Sequence, residues 1–207
     1  MEIISIALPK GRMADTSIEL FEKAMLTNKI LKENSRKLVF NDFENFIKFM
    51  LVKPTDVPTY VEHGAADLGI CGKDIILENK KDFYEVLNLG FGFCKMVVAG
   101  PKEAKISFLT NKRVATKFPN IAEDFFKKKG ENVEIIKLNG SVELAPIVGL
   151  AEVIVDIVET GNTLKENGLV IIEEIFSSTA ELIVNKASLK TKSQRIKDII
   201  IRLKEVL

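Results

Sequence analysis

Tryptophan is missing from this chain, histidine occurs once, as His63, and cysteine twice, as Cys71 and Cys94. One imidazole argues against a histidine-built metal centre and against a Ser–His–Asp triad. The cysteines are too far apart in sequence for metal-ligand spacing, and both lie among apolar residues, which predicts reduced core thiols. Net charge is nearly missing too, with 30 Lys and Arg against 29 Asp and Glu. That balance argues against nucleic-acid binding by bulk charge and leaves only a local basic pocket open. No apolar run reaches membrane-spanning length. The start, Met1 to Leu8, has no basic segment and too short an apolar stretch for a secretory signal, so a cytoplasmic location is expected. Repeats, low-complexity tracts and long linkers are absent as well.

Apolar residues make up 46% of the 207 positions, enough for one large or two small domains. Short apolar runs predict strands at Ile3–Leu8, Leu38–Phe40, Phe46–Val52, Leu68–Cys71 and Val86–Leu89. Further strands are predicted at Met96–Ala99, Arg113–Ala115, Val133–Lys137, Val153–Val158, Ile171–Ile175 and Glu181–Val184. Helical spacing marks Ala14–Ala24, with Asp15 or Thr16 as its cap, then Thr55 to about His63, and Lys73–Glu78. It recurs in Pro119–Lys129, with Phe125 and Phe126 facing inward, and in Glu143–Val148. The tail, Thr191–Leu207, places Ile196, Ile199, Ile200, Leu203 and Leu207 on one stripe. This alternation predicts an α/β fold of open sheets with helices on both faces. Gly90-Phe91-Gly92-Phe93 reads as a pivot or as a plain turn. Two doubly wound lobes would take a ligand in the cleft at their strand ends.

Asp156 to Leu164 is the stretch richest in chemistry. A buried strand ends in Asp156 and Glu159, and the turn Thr160-Gly161-Asn162-Thr163 opens a short helix, Leu164–Asn167. Unpaired N–H groups at a helix start carry partial positive charge and bind phosphate. Thr160 and Thr163 add hydroxyl donors, and Gly161 admits a ligand close to the backbone. Acids just ahead of such a cradle suit sugar hydroxyls or a magnesium ion. The same residues also make an ordinary turn and cap. Lys10-Gly11-Arg12 follows the first strand, Arg36 and Lys37 precede another, and Lys53 and Lys95 stand at segment ends. Converging, these cations would suit a polyphosphate; singly, each is a solvated charge. Glu143 and Asp74 stand where helices begin, and each either caps its helix or touches substrate. His63 closes a helix, and Tyr84 either packs or stacks on a base.

These segments resemble the ATP phosphoribosyltransferase family in its short form. The resemblance is carried by Leu8-Pro9-Lys10-Gly11-Arg12, Ser35-Arg36-Lys37-Leu38 and Asp56-Val57-Pro58-Thr59-Tyr60-Val61-Glu62. It continues through Gly64 to Ile70, Gly72-Lys73-Asp74, Arg113 to Lys117, Asn139 to Pro146 and Asp156 to Leu164, in family order over nearly the whole chain. It implies a fold like type II periplasmic binding proteins, with residues 1–90 and 175–207 in one domain and 91–174 in the other. It implies transfer of the phosphoribosyl group of phosphoribosyl pyrophosphate to N1 of ATP, with Mg2+, as the first step of histidine biosynthesis. It implies a homodimer that joins a regulatory subunit resembling histidyl-tRNA synthetase in a hetero-oligomer, a form the end of the chain at Leu207 suits.

Residue by residue, the resemblance assigns Thr160, Gly161, Asn162 and Thr163 to the ribose 5-phosphate. Asp156 and Glu159 fall to the ribose hydroxyls, and Arg12 and Arg36 to the departing pyrophosphate. Lys10, Gly11 and Lys53 go to the triphosphate or pyrophosphate. Lys53 stands where relatives often carry Arg, which puts a bidentate contact there in doubt. The rival readings are a non-catalytic two-lobe protein binding a small anion, and a phosphoribosyltransferase with another base acceptor.

Overall fold

A computed structural model describes residues 2–27, 37–102 and 112–207. The chain divides into two compact units, Met1–Gly92 with Thr179–Leu207, and Phe93–Ser178. The chain passes from one to the other at Gly92/Phe93, within the glycine-rich segment, and returns at Ser178/Thr179.

The first unit holds β1 (Ile4–Pro9), α1 (Arg12–Lys23), β2 (Val39–Asp42), β3 (Ile47–Val52) and α2 (Val57–Glu62). It continues with β4 (Leu68–Gly72), α3 (Lys73–Asn79) and β5 (Tyr84–Asn88). Its sheet runs β2-β3-β1-β4-β11-β5, where β11 (Ala180–Val184) comes from the returning segment. The central strands β1, β3 and β4 are parallel, and their apolar runs are explained by burial on both faces. Phe21 of α1 meets Phe49 of β3 edge to face at 5.6 Å between ring centres. Cys71 of β4 is fully buried, whereas Cys94 is half-buried.

α1 starts earlier than its apolar pattern suggests. Its cap is Gly11, at φ 95°, and neither Asp15 nor Thr16 caps it, because both already lie inside the first turns. The expected tail helix, Thr191–Leu207, is α8 (Ser193–Lys204), and a short helix that the sequence pattern does not mark, α7 (Lys186–Thr191), precedes it. They break at Lys192, whose φ of −115° is not helical. Asn185 caps α7 by accepting the Ser188 N–H at 2.9 Å. Ile196, Ile199 and Leu203 are buried as the stripe requires, but Leu207 lies beyond α8 and is 54% exposed.

Asp67, just before β4, gathers four parts of this unit. Its carboxylate accepts the Ser5 N–H at 2.8 Å, the Ser5 hydroxyl at 2.9 Å, the Ser188 hydroxyl at 2.7 Å and the Lys192 ammonium at 2.9 Å. Burial pushes this carboxyl up, but the hydrogen bonds outweigh it and hold it below the usual carboxylate range.

The second unit holds β6 (Cys94–Pro101), β7 (Lys112–Thr116), α4 (Pro119–Lys128), β8 (Val133–Lys137) and α5 (Leu144–Ile147). It ends with β9 (Val153–Val158), α6 (Asn162–Glu166) and β10 (Leu169–Ser178). Its sheet runs β10-β6-β9-β7-β8, with β9 antiparallel to β6 and parallel to β7. Thr116 joins β7 to β9 by donating its hydroxyl to the Val155 carbonyl at 2.6 Å. β10 is longer than its apolar run, and two register shifts against β6 interrupt its alternation. Phe126 is buried, but Phe125 is only partly so and carries the Lys129 ammonium 5.2 Å from its ring. Among the described residues, no helix is long and apolar enough to cross a membrane.

Candidate functional site

β9 carries the first of the site residues to the end of the second unit's sheet. Val153, Ile154 and Val155 are buried, and the pattern breaks at half-buried Asp156 and exposed Ile157. The Asp156 carboxylate accepts the Ile157 N–H at 2.8 Å, which holds it against its own strand. The chain then turns through Glu159 and Thr160 to Gly161, at φ 79° and ψ 0°, and enters α6. The helix therefore begins at Asn162, two residues before the expected Leu164.

The first helical bond runs from the Lys165 N–H to the Gly161 carbonyl at 3.1 Å. The amides of Asn162, Thr163 and Leu164 thus lie ahead of the helical ladder. The Asn162 N–H reaches the Thr160 hydroxyl only at 3.5 Å, a long contact. A β-carbon at Gly161 would meet nothing nearer than Val158, at 3.8 Å, so a ligand can approach this backbone.

A cavity of about 200 Å³ sits over this turn, lined by Asp156, Glu159, Thr160, Gly161 and Thr163. Ile157, Val158 and Leu164 add apolar lining, and among the described residues no Lys, Arg or His lines it. Asn162 is exposed and does not line the cavity. Glu143 does line it, at the cap position of α5, yet its side chain makes no capping bond. Sequence reasoning left Glu143 between a cap and a substrate contact. Val142 and Ala145 share an apolar cluster with Val158 and Leu164, which sets α5 beside the turn. Asp74 is no cap either. It lies inside the first turn of α3, whose cap is Gly72.

Of the expected cations, Lys10, Arg12 and Lys53 belong to the first unit and Lys95 to the second. β1 and β3 run parallel and end together, with Pro9 opposite Val52. The Lys10 N–H donates to the Val52 carbonyl at 2.8 Å, so Lys10 and Lys53 leave the carboxyl ends of adjacent strands. Gly11 makes the turn into α1, and Arg12 is its first residue. Lys10, Arg12 and Lys53 are exposed. Arg36 lies outside the described residues. Lys95 is paired with Glu174 at 2.7 Å. His63 ends α2, exposed, 3.7 Å from the Glu62 carboxylate. Tyr84 lies under the Lys186 ammonium, 5.3 Å from its ring.

Among known proteins, the chain is 83% identical to an ATP phosphoribosyltransferase of Thermoanaerobacter sp. (strain X514), over all of this chain and 97% of the relative. It is 77% identical to that of Caldanaerobacter subterraneus subsp. tengcongensis, over all of this chain and 99% of the relative. Among solved structures, it resembles an ATP phosphoribosyl transferase (HisG:HisZ) complex from Thermotoga maritima. The TM-score is 0.86 at 39% identity, covering 99% of this chain and 98% of the other. The family pattern described as HisG, ATP phosphoribosyltransferase, matches residues 53–205, which include β9, the turn and Glu143. A match that spans both sheets, with this identity from end to end, makes the chain a member of the ATP phosphoribosyltransferase family.

Proposed function

We propose that this protein transfers the phosphoribosyl group of phosphoribosyl pyrophosphate to N1 of ATP, giving phosphoribosyl-ATP and pyrophosphate, the first step of L-histidine biosynthesis. The observation that carries the reading is the cavity over the β9–α6 turn. Carboxylates at a strand end face amides and hydroxyls of a turn that a phosphate can reach. The match of the whole chain to ATP phosphoribosyltransferases supports the choice of acceptor.

In this reading the turn from Thr160 to Thr163 holds the ribose 5-phosphate, and Asp156 and Glu159 hold ribose hydroxyls. Adenine N1 is unprotonated at neutral pH and attacks the anomeric carbon without a strong general base. As the bond to pyrophosphate breaks, positive charge grows on the sugar and negative charge on the leaving group. Asp156 and Glu159 favour the first, and Arg12, Arg36, Lys10 and Lys53 neutralise the second. Catalysis is then positioning and electrostatics.

Among the described residues, no three His, Cys, Asp or Glu side chains form a metal cage. Magnesium would enter on the substrate's diphosphate, with at most one or two carboxylates, a mode common for this ion. Bound there, it would supply charge neutralisation to the leaving group. A regulatory subunit like the one in the Thermotoga maritima complex would join this chain in a hetero-oligomer. A cytoplasmic location fits these substrates.

The test mixes the protein with ATP, phosphoribosyl pyrophosphate and magnesium, with and without such a partner, and follows adenine absorbance and pyrophosphate. The expected result is phosphoribosyl-ATP and pyrophosphate in equal amounts. Product with another base but not ATP would overturn the acceptor, and no product under any condition would overturn catalysis.

A further inference from the structure

We infer that Met13 is a positioning residue for the reaction: it anchors the start of α1 and so fixes the Arg12 guanidinium that meets the departing pyrophosphate. The inference rests on the phosphoribosyl-transfer reading and on the role given there to Arg12.

The turn that delivers Arg12 is open on its outer side. Lys10, Gly11 and Arg12 are exposed, and a β-carbon at Gly11 would have no atom within 4 Å. The backbone is tied by the Lys10 N–H to the Val52 carbonyl and by the Ala14 N–H to the Gly11 carbonyl, both at 2.8 Å. Met13 is the first side chain of α1 to reach the apolar core. It packs, partly buried, on the cluster of Ile6, Leu8 and Phe21, as Leu51 and Phe91 do. Its carbonyl accepts the hydroxyl of fully buried Ser17 at 2.6 Å, so backbone and side chain are both held.

The tip of Met13 meets a segment that is braced on its own account. A β-carbon at Gly92 would stand 3.4 Å from Met13 Cε and 3.7 Å from the Ala180 β-carbon, so glycine leaves the space that the methionine covers. The Ala180 N–H donates to the Phe91 carbonyl and the Leu89 N–H to the Ala180 carbonyl, each at 2.9 Å. The Asn88 amide accepts the Gly90 N–H at 2.9 Å and donates to the Thr179 hydroxyl at 2.7 Å and the Glu181 carboxylate at 2.9 Å. An unbranched, polarizable thioether fills the irregular gap between α1 and this segment. Truncating it removes the support directly behind Arg12. A shift of about 1 Å in a group that acts on the transition state costs on the order of 100-fold in rate. Negative charge gathers on the leaving group only as its bond breaks, so the loss falls on turnover and not on donor binding.

The experiment measures steady-state kinetics of the full chain and of its Met13→Ala, Met13→Leu and Arg12→Ala variants and the Arg12→Ala, Met13→Ala double variant. The regulatory partner is present, and each rate is read well below that chain's melting temperature. Met13→Ala is expected to lower kcat about 10- to 100-fold while the KM for phosphoribosyl pyrophosphate stays within about twofold. Met13→Leu, close in volume, should recover most of the loss. In the Arg12→Ala background, Met13→Ala should add no more than about twofold, because both act through one group. A Met13→Ala chain with the parent's kcat, or one whose loss is as large without Arg12 as with it, would overturn this inference alone. A rise in donor KM that accounts for the whole loss would mark general loosening and overturn it too. An Arg12→Ala chain with the parent's kcat would overturn the role of Arg12 and this inference with it. A parent without turnover would overturn both, together with the reading beneath them.

Discussion

Gly161 stands at φ 79°, where a β-carbon crowds the following carbonyl and a residue other than glycine costs about 1–2 kcal/mol. The space around it is open, so a substitution is opposed by the backbone and not by a neighbour. Gly161→Val should lower the melting temperature by about 2–8 °C, taking roughly 2–4 °C per kcal/mol for a chain of this size. It should also raise the KM for phosphoribosyl pyrophosphate, because relaxing the turn moves the amides of Asn162 and Thr163. A thermal scan and donor titration of the variant check both; an unchanged melting temperature and KM would show that the turn tolerates a side chain. Gly72 is constrained differently. A β-carbon there would lie 2.1 Å from Oδ1 of Asp74, so the carboxylate folds back over a space only glycine leaves open.

At the scale of elements, Asp67 ties β1, β4 and the two terminal helices together. Its folded-state pKa lies below the unfolded value of about 3.9. Its contribution is therefore fully present above that pH and is lost as pH falls through the lower folded value. Asp67→Asn should cost about 2–4 kcal/mol at pH 7, as expected for breaking a buried, hydrogen-bonded charge. Urea unfolding at pH 7 and pH 3 should show the gap between parent and variant shrinking in acid. A gap that stays constant would assign the loss to packing alone.

Legibility also differed by element. β1 and β9 were readable because both sit mid-sheet between strands, so their apolar runs are short and dense. β10 was read too short because its register shifts break the alternation that marks a strand. α7 is too short to show a helical apolar period, and Asn185, which caps it, is the one local signal of its start. The turn after β9 was legible because its acids, hydroxyls and glycine are consecutive. That Glu143 lines the same cavity as Asp156 is not legible locally, because it comes from α5 packing on the β9 side of the core.

The whole molecule consists of two α/β units, each with its own sheet, joined at Gly92/Phe93 and Ser178/Thr179. The second unit carries the cavity, and the first carries Lys10, Arg12 and Lys53 at strand ends. The proposed division of labour follows from chemistry: a cavity lined by carboxylates and amides suits a sugar phosphate, and exposed cations suit a diphosphate. The most direct measurement is a crystal structure of the full chain with phosphoribosyl pyrophosphate bound. The 5-phosphate should lie on the amides of the Thr160–Thr163 turn, with the ribose hydroxyls against Asp156 and Glu159. A 5-phosphate seated anywhere else, with this turn in contact with solvent alone, would contradict the assignment of the donor site.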